Sequence, residues 1–351
     1  MGETDPITDT DPLAPLGWSP LWADRAEDAA ARNERPGAEP GRVVRHDGVA
    51  VQVATRDGVV ARPVLATVDP QPVVGDWVLT TDETVVAVLE RSSLLRRRDT
   101  RRDTEQHLVA NVDTVIIVCG LDRPVRDGRI QRATAVAWDA DAEPVVVLTK
   151  ADLVADAEET AVAVRGANPG VEVLVTSSKE DAGLQGVRDL GVGKSVVMLG
   201  ESGAGKSSLA NALSDGDVAI VGAVREGDAK GRHTTTSREL HVLPSGGVLI
   251  DNPGVRSLGL WTDAESVVAT FDDIDSLAEG CRFSDCAHDA EPGCAVRAAI
   301  DAGDLHPARL EAWHAFHAEV EEADRRADEK AWRTPEAPPE SKRRRRRGRG
   351  R

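Results

Sequence analysis

The sequence predicts three folded units in series: a small β-barrel, a central α/β domain with a largely parallel sheet, and a mainly helical C-terminal unit. Three observations carry this expectation. Short β-like runs separated by turn residues fill residues 41 to about 92, and apolar strands alternate with helix-like stretches from 112 to 254. After residue 263 the strand pattern stops, and three of the four cysteines cluster there.

A chain of 351 residues can build several cores. The expected boundaries are an N-terminal extension with a short helix (1–40), a barrel with an Arg-rich link (41–103), the α/β domain (104–262), the helical unit (263–335) and a disordered basic tail (336–351). No apolar run approaches a membrane span, and the acidic, Pro-containing start lacks a signal peptide's charged and apolar regions. The expectation is a cytoplasmic monomer with no membrane partner. The formal charge of −17 conceals an asymmetry: residues 342–351, "KRRRRRGRGR", carry +8, leaving −25 on the rest. Nucleic acid is therefore excluded as a partner of the whole surface, whereas the tail is either a phosphate-binding arm or a solubilising extension.

In the extension, the apolar anchors lie in "LGWSPLW", with Trp18 and Trp22. The barrel strands read as "RVVRH", "VAVQVAT", "VVARPVLA", "DWVLT" and "TVVAVLE", with turn signals at Asp47-Gly48, Asp57-Gly58 and Asp82-Glu83. Periodicity leaves an OB-fold and an SH3-like barrel both open. The Arg-dense "RSSLLRRRDTRRD" (91–103) links the barrel to the α/β domain, whose strands fall at 112–120, 144–150, 171–177, 195–200 and 247–254. Their unbroken apolar character fits strands buried on both faces.

"GESGAGKSS" (200–208) matches G-x-x-x-x-G-K-[ST], with an apolar strand before it and a helix-like run after it. Gly200, Gly203 and Gly205 let backbone N–H groups turn inward around phosphates, together with Glu201, Ser202, Ala204 and Ser208. Lys206 reaches the β- and γ-phosphates, and the Ser207 hydroxyl can ligate Mg²⁺. "TKAD" (149–152) ends a strand where a ligand-facing loop belongs. The Asp152 carboxylate can accept from guanine N1–H and the 2-amino group, a donor pair adenine lacks. The Lys150 stem can lie along the base. "TSSK" (176–179) offers a backbone N–H at Ser177 or Ser178 for the guanine 6-oxo group. Thr149 stands where guanine-reading loops usually carry Asn.

"GRHTTT" (231–236) and "DNPG" (251–254) follow the phosphate loop. Asp251 is placed to hold Mg²⁺ through water, Gly254 to sense the γ-phosphate, and Thr235 or Thr234 to complete the metal's ligands. Val255 follows this Gly and cannot orient a water, which leaves His233 as the candidate catalytic residue and implies slow intrinsic turnover. Cys281, Cys286, His288 and Cys294, spaced C-x₄-C-x-H-x₅-C, supply three thiolates and an imidazole. That is a closed tetrahedral set for one structural Zn²⁺.

With these motifs in this order, the chain resembles the circularly permuted, ribosome-small-subunit-dependent GTPases, the RsgA/YjeQ-like family, over roughly residues 15–330. The resemblance rests on "LGW", "GDWV" (75–78), "EQHLVANVDTVIIV" (105–118), "GESGAGKSSL", "GRHTTT", "DNPG" and "CRFSDCAHDAEPGCAV", with both guanine loops preceding the phosphate loop. It implies an N-terminal OB-fold, a permuted GTPase core and a C-terminal zinc domain. It also implies GTP hydrolysis in late maturation of the small ribosomal subunit, stimulated by that subunit and its rRNA, with His233 catalytic. The alternative is a nucleotide-dependent RNA-binding module in which hydrolysis is incidental; a third reading is an ATP-using phosphate-loop protein. Asn252 departs from the more usual Thr, and the basic tail lies outside the family pattern.

Overall fold

The computed structural model describes residues 11–33, 37–99, 104–214, 219–220, 238–251 and 271–307, together with 309–311, 313, 314, 317, 318 and 325. The N-terminal extension forms a 3₁₀ turn (Ala14–Leu16) and helix α1 (Pro20–Arg32). Pro20 opens α1, where its fixed φ suits the first turn and its missing N–H costs no helical bond. Trp22, Ala26 and Ala29 form the buried stripe of α1. That stripe meets the barrel at Trp77, whose ring lies 4.9 Å from Trp18, edge-on, and 5.9 Å from Trp22.

Five antiparallel-paired strands follow: β1 (Glu39–His46), β2 (Ala50–Thr55), β3 (Gly58–Pro63), β4 (Trp77–Thr80) and β5 (Val85–Val88). β1 pairs with β2 and β4, β2 with β3, and β4 with β5; a bridge between Val64 and Val85 draws the two outer edges together. Their inward valines, among them Val43, Val51, Val53 and Val78, make a separate small core. The Arg-rich stretch is more than a link. β6 (Leu94–Asp99) and β7 (Thr104–Ala110) form a two-stranded ribbon with Arg96 opposite His107 and Arg98 opposite Glu105. The boundary expected at 103 thus runs through a hairpin, which periodicity missed because its apolar residues sit only at its base.

The α/β domain runs β8 (Thr114–Gly120), α2 (Asp127–Asp139), β9 (Glu143–Thr149), α3 (Ala157–Ala167), β10 (Glu172–Val175), α4 (Leu184–Gly191), β11 (Ser195–Leu199), α5 (Lys206–Leu213), β12 (Ala219–Ile220), β13 (Glu239–Val242) and β14 (Val248–Asp251). The sheet order is β10-β9-β8-β11-β14, all parallel, then antiparallel β13. Alternate residues of its central strands feed two cores: Val115, Ile117, Val146 and Val197 one face, Ile116, Val118, Val145 and Val196 the other. The chain order reverses between β8 and β11, which creates the crevice where an open α/β sheet receives a ligand.

β13 also pairs with β1 at Glu239 and Arg45, so one sheet runs from the α/β domain into the barrel. Arg42, fully buried on β1, locks this junction. It donates to the Leu16 carbonyl, to the Gly75 and Asn111 carbonyls (3.2 and 3.3 Å) and to the Ser195 hydroxyl (2.8 Å). Burial pulls its guanidinium down to about 10, while Asp113 and Asp76 oppose that shift. The neighbouring "GDW" explains itself. A Cβ on Gly75 (φ +94°) would fall 2.1 Å from the Ala110 carbonyl oxygen, and buried Asp76 is held by two 2.8 Å bonds from Arg91.

The C-terminal unit contains helices Asp272–Ala278 and Ala295–Ala302 around Phe271, Ile274, Val296 and Leu305, a core that includes Ala135 of α2. Among the described residues, no helix is long and apolar enough to cross a membrane.

Candidate functional site

The loop after β11 is shaped by its glycines. Gly200, Gly203 and Gly205 have φ of +155°, +79° and +100°, and a Cβ on Gly200 would lie 2.4 Å from the Val118 carbonyl oxygen. Only glycine permits this approach and this sequence of turns. Gly205 caps α5, so the helix N-terminus and its free N–H groups open onto the concave side of the loop. Lys206 Nζ donates to the carbonyls of Gly200 (2.6 Å) and Glu201 (2.8 Å), which holds the ammonium over the loop. Ser207 and Ser208 are exposed on the first turn of α5, and Ala204 is buried beneath the loop.

The loops that follow β9 and β10 lie beside it because both strands are on the same side of the switch point as β8. Thr149, buried at the end of β9, donates through Oγ1 to the Ala204 carbonyl at 2.5 Å. Lys150 adopts a left-handed φ of +61°, and its Nζ donates to the Gly203 carbonyl at 2.6 Å. The Asp152 carboxylate accepts from the Ser177 hydroxyl at 2.8 Å, with Lys179 Nζ 3.5 Å away. The Ser177 hydrogen bond holds its pKa below the usual carboxylate range. Ser177 is buried and Ser178 exposed at the mouth of the same crevice. Ser177 therefore supports Asp152, and Ser178 is left with a surface facing solvent.

Asp251 closes β14 and is exposed beside β11, with Val197 paired to Ile250 one residue earlier. The sequence candidates His233, Thr234, Thr235, Asn252, Gly254 and Val255 lie outside the described residues.

Sequence reasoning missed a charged network around this crevice. Asp122, just past β8, accepts from Lys150 (2.9 Å) and Arg123 (3.2 Å), and these bonds hold its carboxyl down to about 2. Glu201 pairs with Arg129 of α2 and approaches Arg123 to 3.8 Å. The available signal was "GLDRP" at the end of an apolar strand, the same position in a sheet that had marked "TKAD".

In the C-terminal unit, Cys281, Cys286, His288 and Cys294 bring one ligand atom each to within 4.8 Å of one another. Cys281 Sγ and Cys294 Sγ lie 3.6 and 3.4 Å from His288 Nδ1 and 4.0 Å from each other. Metal–sulfur and metal–nitrogen bonds of about 2.3 and 2.0 Å give tetrahedral edges of about 3.5–3.8 Å, so the donor set fits a tetrahedral cation. Backbone N–H groups point at the sulfurs, Ala295 N at Cys281 (3.3 Å) and Arg297 N at Cys294 (3.5 Å), at the start of the last short helix. Burial raises the Cys281 thiol, but the backbone N–H groups of Ala295 and Val296 and the neighbouring thiols outweigh it and hold it below its usual range. His288 takes a left-handed φ of +62°, and the Trp313 ring packs edge-on to it at 5.2 Å.

Fold and site together define a circularly permuted GTPase, with β8, β9 and β10 placed ahead of the glycine-rich loop in the chain. Residues 88–261 match the model of the RsgA GTPase family. The chain is 45% identical over 314 residues to the small ribosomal subunit biogenesis GTPase RsgA of Streptomyces avermitilis, covering 86% of this chain and 84% of the relative. Its counterpart in Streptomyces coelicolor is 42% identical, over 94% and 93%. Among solved structures, YjeQ from Thermotoga maritima superposes with a TM-score of 0.61 at 25% identity, over 81% of this chain and 98% of that one. YloQ, described as a circularly permuted GTPase, gives 0.59 at 26% identity, over 82% and 96%. The chain belongs to the RsgA GTPase family.

Proposed function

We propose that this GTPase acts in late maturation of the small ribosomal subunit and that the subunit and its rRNA stimulate its turnover. The observation that carries the catalytic part is the convergence of three loops on one crevice, tied by the Thr149–Ala204 and Lys150–Gly203 bonds. The biological part comes from relatives named small ribosomal subunit biogenesis GTPases.

In this reading Gly200, Glu201, Ser202, Gly203, Ala204, Gly205, Lys206, Ser207 and Ser208 enclose the phosphates. Asp152 accepts from the guanine N1–H and 2-amino group, Lys150 covers the base, and the Ser178 N–H meets the 6-oxo oxygen. Ser207, Thr235 and Asp251 hold Mg²⁺, which offsets phosphate charge when bound. Gly254 senses the γ-phosphate, and His233 orients the attacking water. Cys281, Cys286, His288 and Cys294 hold one structural Zn²⁺.

The barrel is an OB-fold in this reading. Its adjacency, β1-β2-β3, then β5 through the Val64–Val85 bridge, then β4 and back to β1, supports a closed five-stranded arrangement of that kind. Local basic elements, including the β6–β7 ribbon, contact rRNA while the acidic body does not. The protein is cytoplasmic and monomeric.

The decisive measurement is GTP turnover with and without purified small subunits. Stimulation is expected, and it should vanish in His233→Ala while GDP affinity stays within about twofold. No stimulation, or full stimulation in His233→Ala, overturns this reading.

A further inference from the structure

A cavity of 560 Å³ opens beside the phosphate loop, between the end of β8 and the first turns of α2. Its floor is apolar, with Ile117, Ile130 and Leu199. Around it stand Arg123, Arg126, Arg129 and Arg132, recurring every three residues through the loop before α2 and into the helix. Glu201 is the one carboxylate among the described lining residues. It is already engaged with Arg129 and near Arg123, and Arg126 makes no ion pair among the described residues.

Among the described residues these four guanidiniums meet two carboxylates, Glu201 on Arg129 and Asp122 on Arg123, so positive charge is in excess around this concave space in a chain whose formal charge is −17. Like charges gathered around one cavity repel, and an anion of matching shape relieves that repulsion while gaining charge-assisted hydrogen bonds. The planar forks of arginine suit phosphate oxygens in particular. The volume is of the size that holds small organic ligands, typically about 300–1,000 Å³, and the apolar floor suits a compact body attached to the phosphate. Cys119 also lines the wall, but burial pushes its thiol up to about 11, so it is a packing group rather than a nucleophile.

We propose that this cavity is a second anion site, in which Arg123, Arg126, Arg129 and Arg132 bind a phosphate-bearing ligand whose apolar portion rests on Ile117, Ile130 and Leu199. The ligand is either a free phosphorylated metabolite or a nucleotide unit of RNA, which share the recognised chemistry. A phosphate here competes with Glu201 for Arg129 and Arg123. Because Glu201 belongs to the phosphate loop, occupancy alters the charge around that loop. This coupling rests on the nucleotide reading above, whereas the anion site itself does not.

The test uses the full chain. GDP affinity is measured first, and its absence would count against the nucleotide reading alone. Inorganic pyrophosphate is then titrated by calorimetry into protein saturated with GDP and Mg²⁺. One saturable site is expected, weakened at least tenfold in Arg126→Ala/Arg129→Ala and at least threefold in Arg126→Ala, an exposed position, with GDP affinity within twofold of the parent. Glu201→Gln should tighten pyrophosphate severalfold by removing the competing carboxylate. Absence of saturable binding to the GDP-loaded parent, or equal affinity in both arginine variants, overturns the proposal. Competition by a short single-stranded RNA assigns the ligand to RNA; saturable pyrophosphate binding without such competition assigns it to a free phosphorylated metabolite.

Discussion

The Thr149 hydroxyl donates to the Ala204 carbonyl at 2.5 Å and so ties the end of β9 to the glycine-rich loop after β11. A Cβ at Gly205 would come within 3.0 Å of the same hydroxyl, so the two segments touch without room to spare. On the nucleotide reading proposed above, this bond is the bracing that Asn usually supplies in guanine loops, made with one donor instead of two. Thr149→Val keeps the shape and removes the donor. A buried carbonyl then loses its partner, at a cost of about 1 kcal/mol, so GDP affinity should fall about fivefold. Preference for guanine over adenine should persist, because the base-reading carboxylate is untouched. Competition of GDP and ADP against a fluorescent guanine nucleotide measures both.

Asp152→Asn separates base recognition from the rest of the site. The amide can still accept from Ser177, but it cannot accept from both guanine donors. Loss of a charge-assisted pair costs about 3 kcal/mol, so GDP affinity should fall by about a hundredfold, with xanthine nucleotides gaining because their 2-oxo group accepts from the new amide. Unchanged GDP affinity would show that Asp152 does not read the base.

Removal of the metal should act on the C-terminal unit alone. Cys281→Ser, or a strong chelator, is expected to abolish one equivalent of bound zinc and to lower the melting temperature of that unit. GDP affinity should remain within about threefold, since Cys281, Cys286 and Cys294 share a core with Phe271, Ile274 and Val296 and not with the loop after β11. Metal content by elemental analysis and nucleotide affinity on the same sample check this. Intact zinc content in Cys281→Ser would remove that residue from the ligand set.

His241 gives a pH dependence with a definite sign. It is buried on β13 opposite Leu249, and burial lowers its pKa, with Glu239 and Asp251 only partly opposing. The unfolded chain therefore takes up a proton at a higher pH than the folded one. Stability tied to this residue is complete above about pH 6.5 and declines as the pH falls below that value. Melting temperatures between pH 7.5 and 5.5 should drop less steeply in His241→Leu than in the parent. Parallel curves would assign the acid sensitivity elsewhere.

Much of the site was legible in the chain because its chemistry is local. Phosphate cradling needs glycines at fixed offsets, and "GESGAGKSS" supplies them; a thiolate–imidazole tetrahedron needs short spacing, and "CRFSDCAHDAEPGC" supplies that. The five parallel strands were visible as apolar runs buried on both faces. The ribbon of β6 and β7 was not, since its arginines obscure any alternation. Nor was β13, whose "RELHV" mixes charge with apolar residues at the sheet edge.

By itself the sequence determined which groups are present and in what order: "TKAD" and "TSSK" ahead of "GESGAGKSS", the Cys/His cluster after it, and an acidic body with a basic tail. Only the tertiary structure decided which of them meet. Thr149 and Ala204 lie 55 residues apart and Arg42 and Ser195 lie 153 apart, yet each pair is hydrogen-bonded. Parallel pairing of β9, β8 and β11 sets which strand ends are neighbours, and chain order does not. The arginines of α2 likewise become a cavity wall only once the helix packs beside the phosphate loop, because electrostatic potential depends on distance in space and not on separation along the chain.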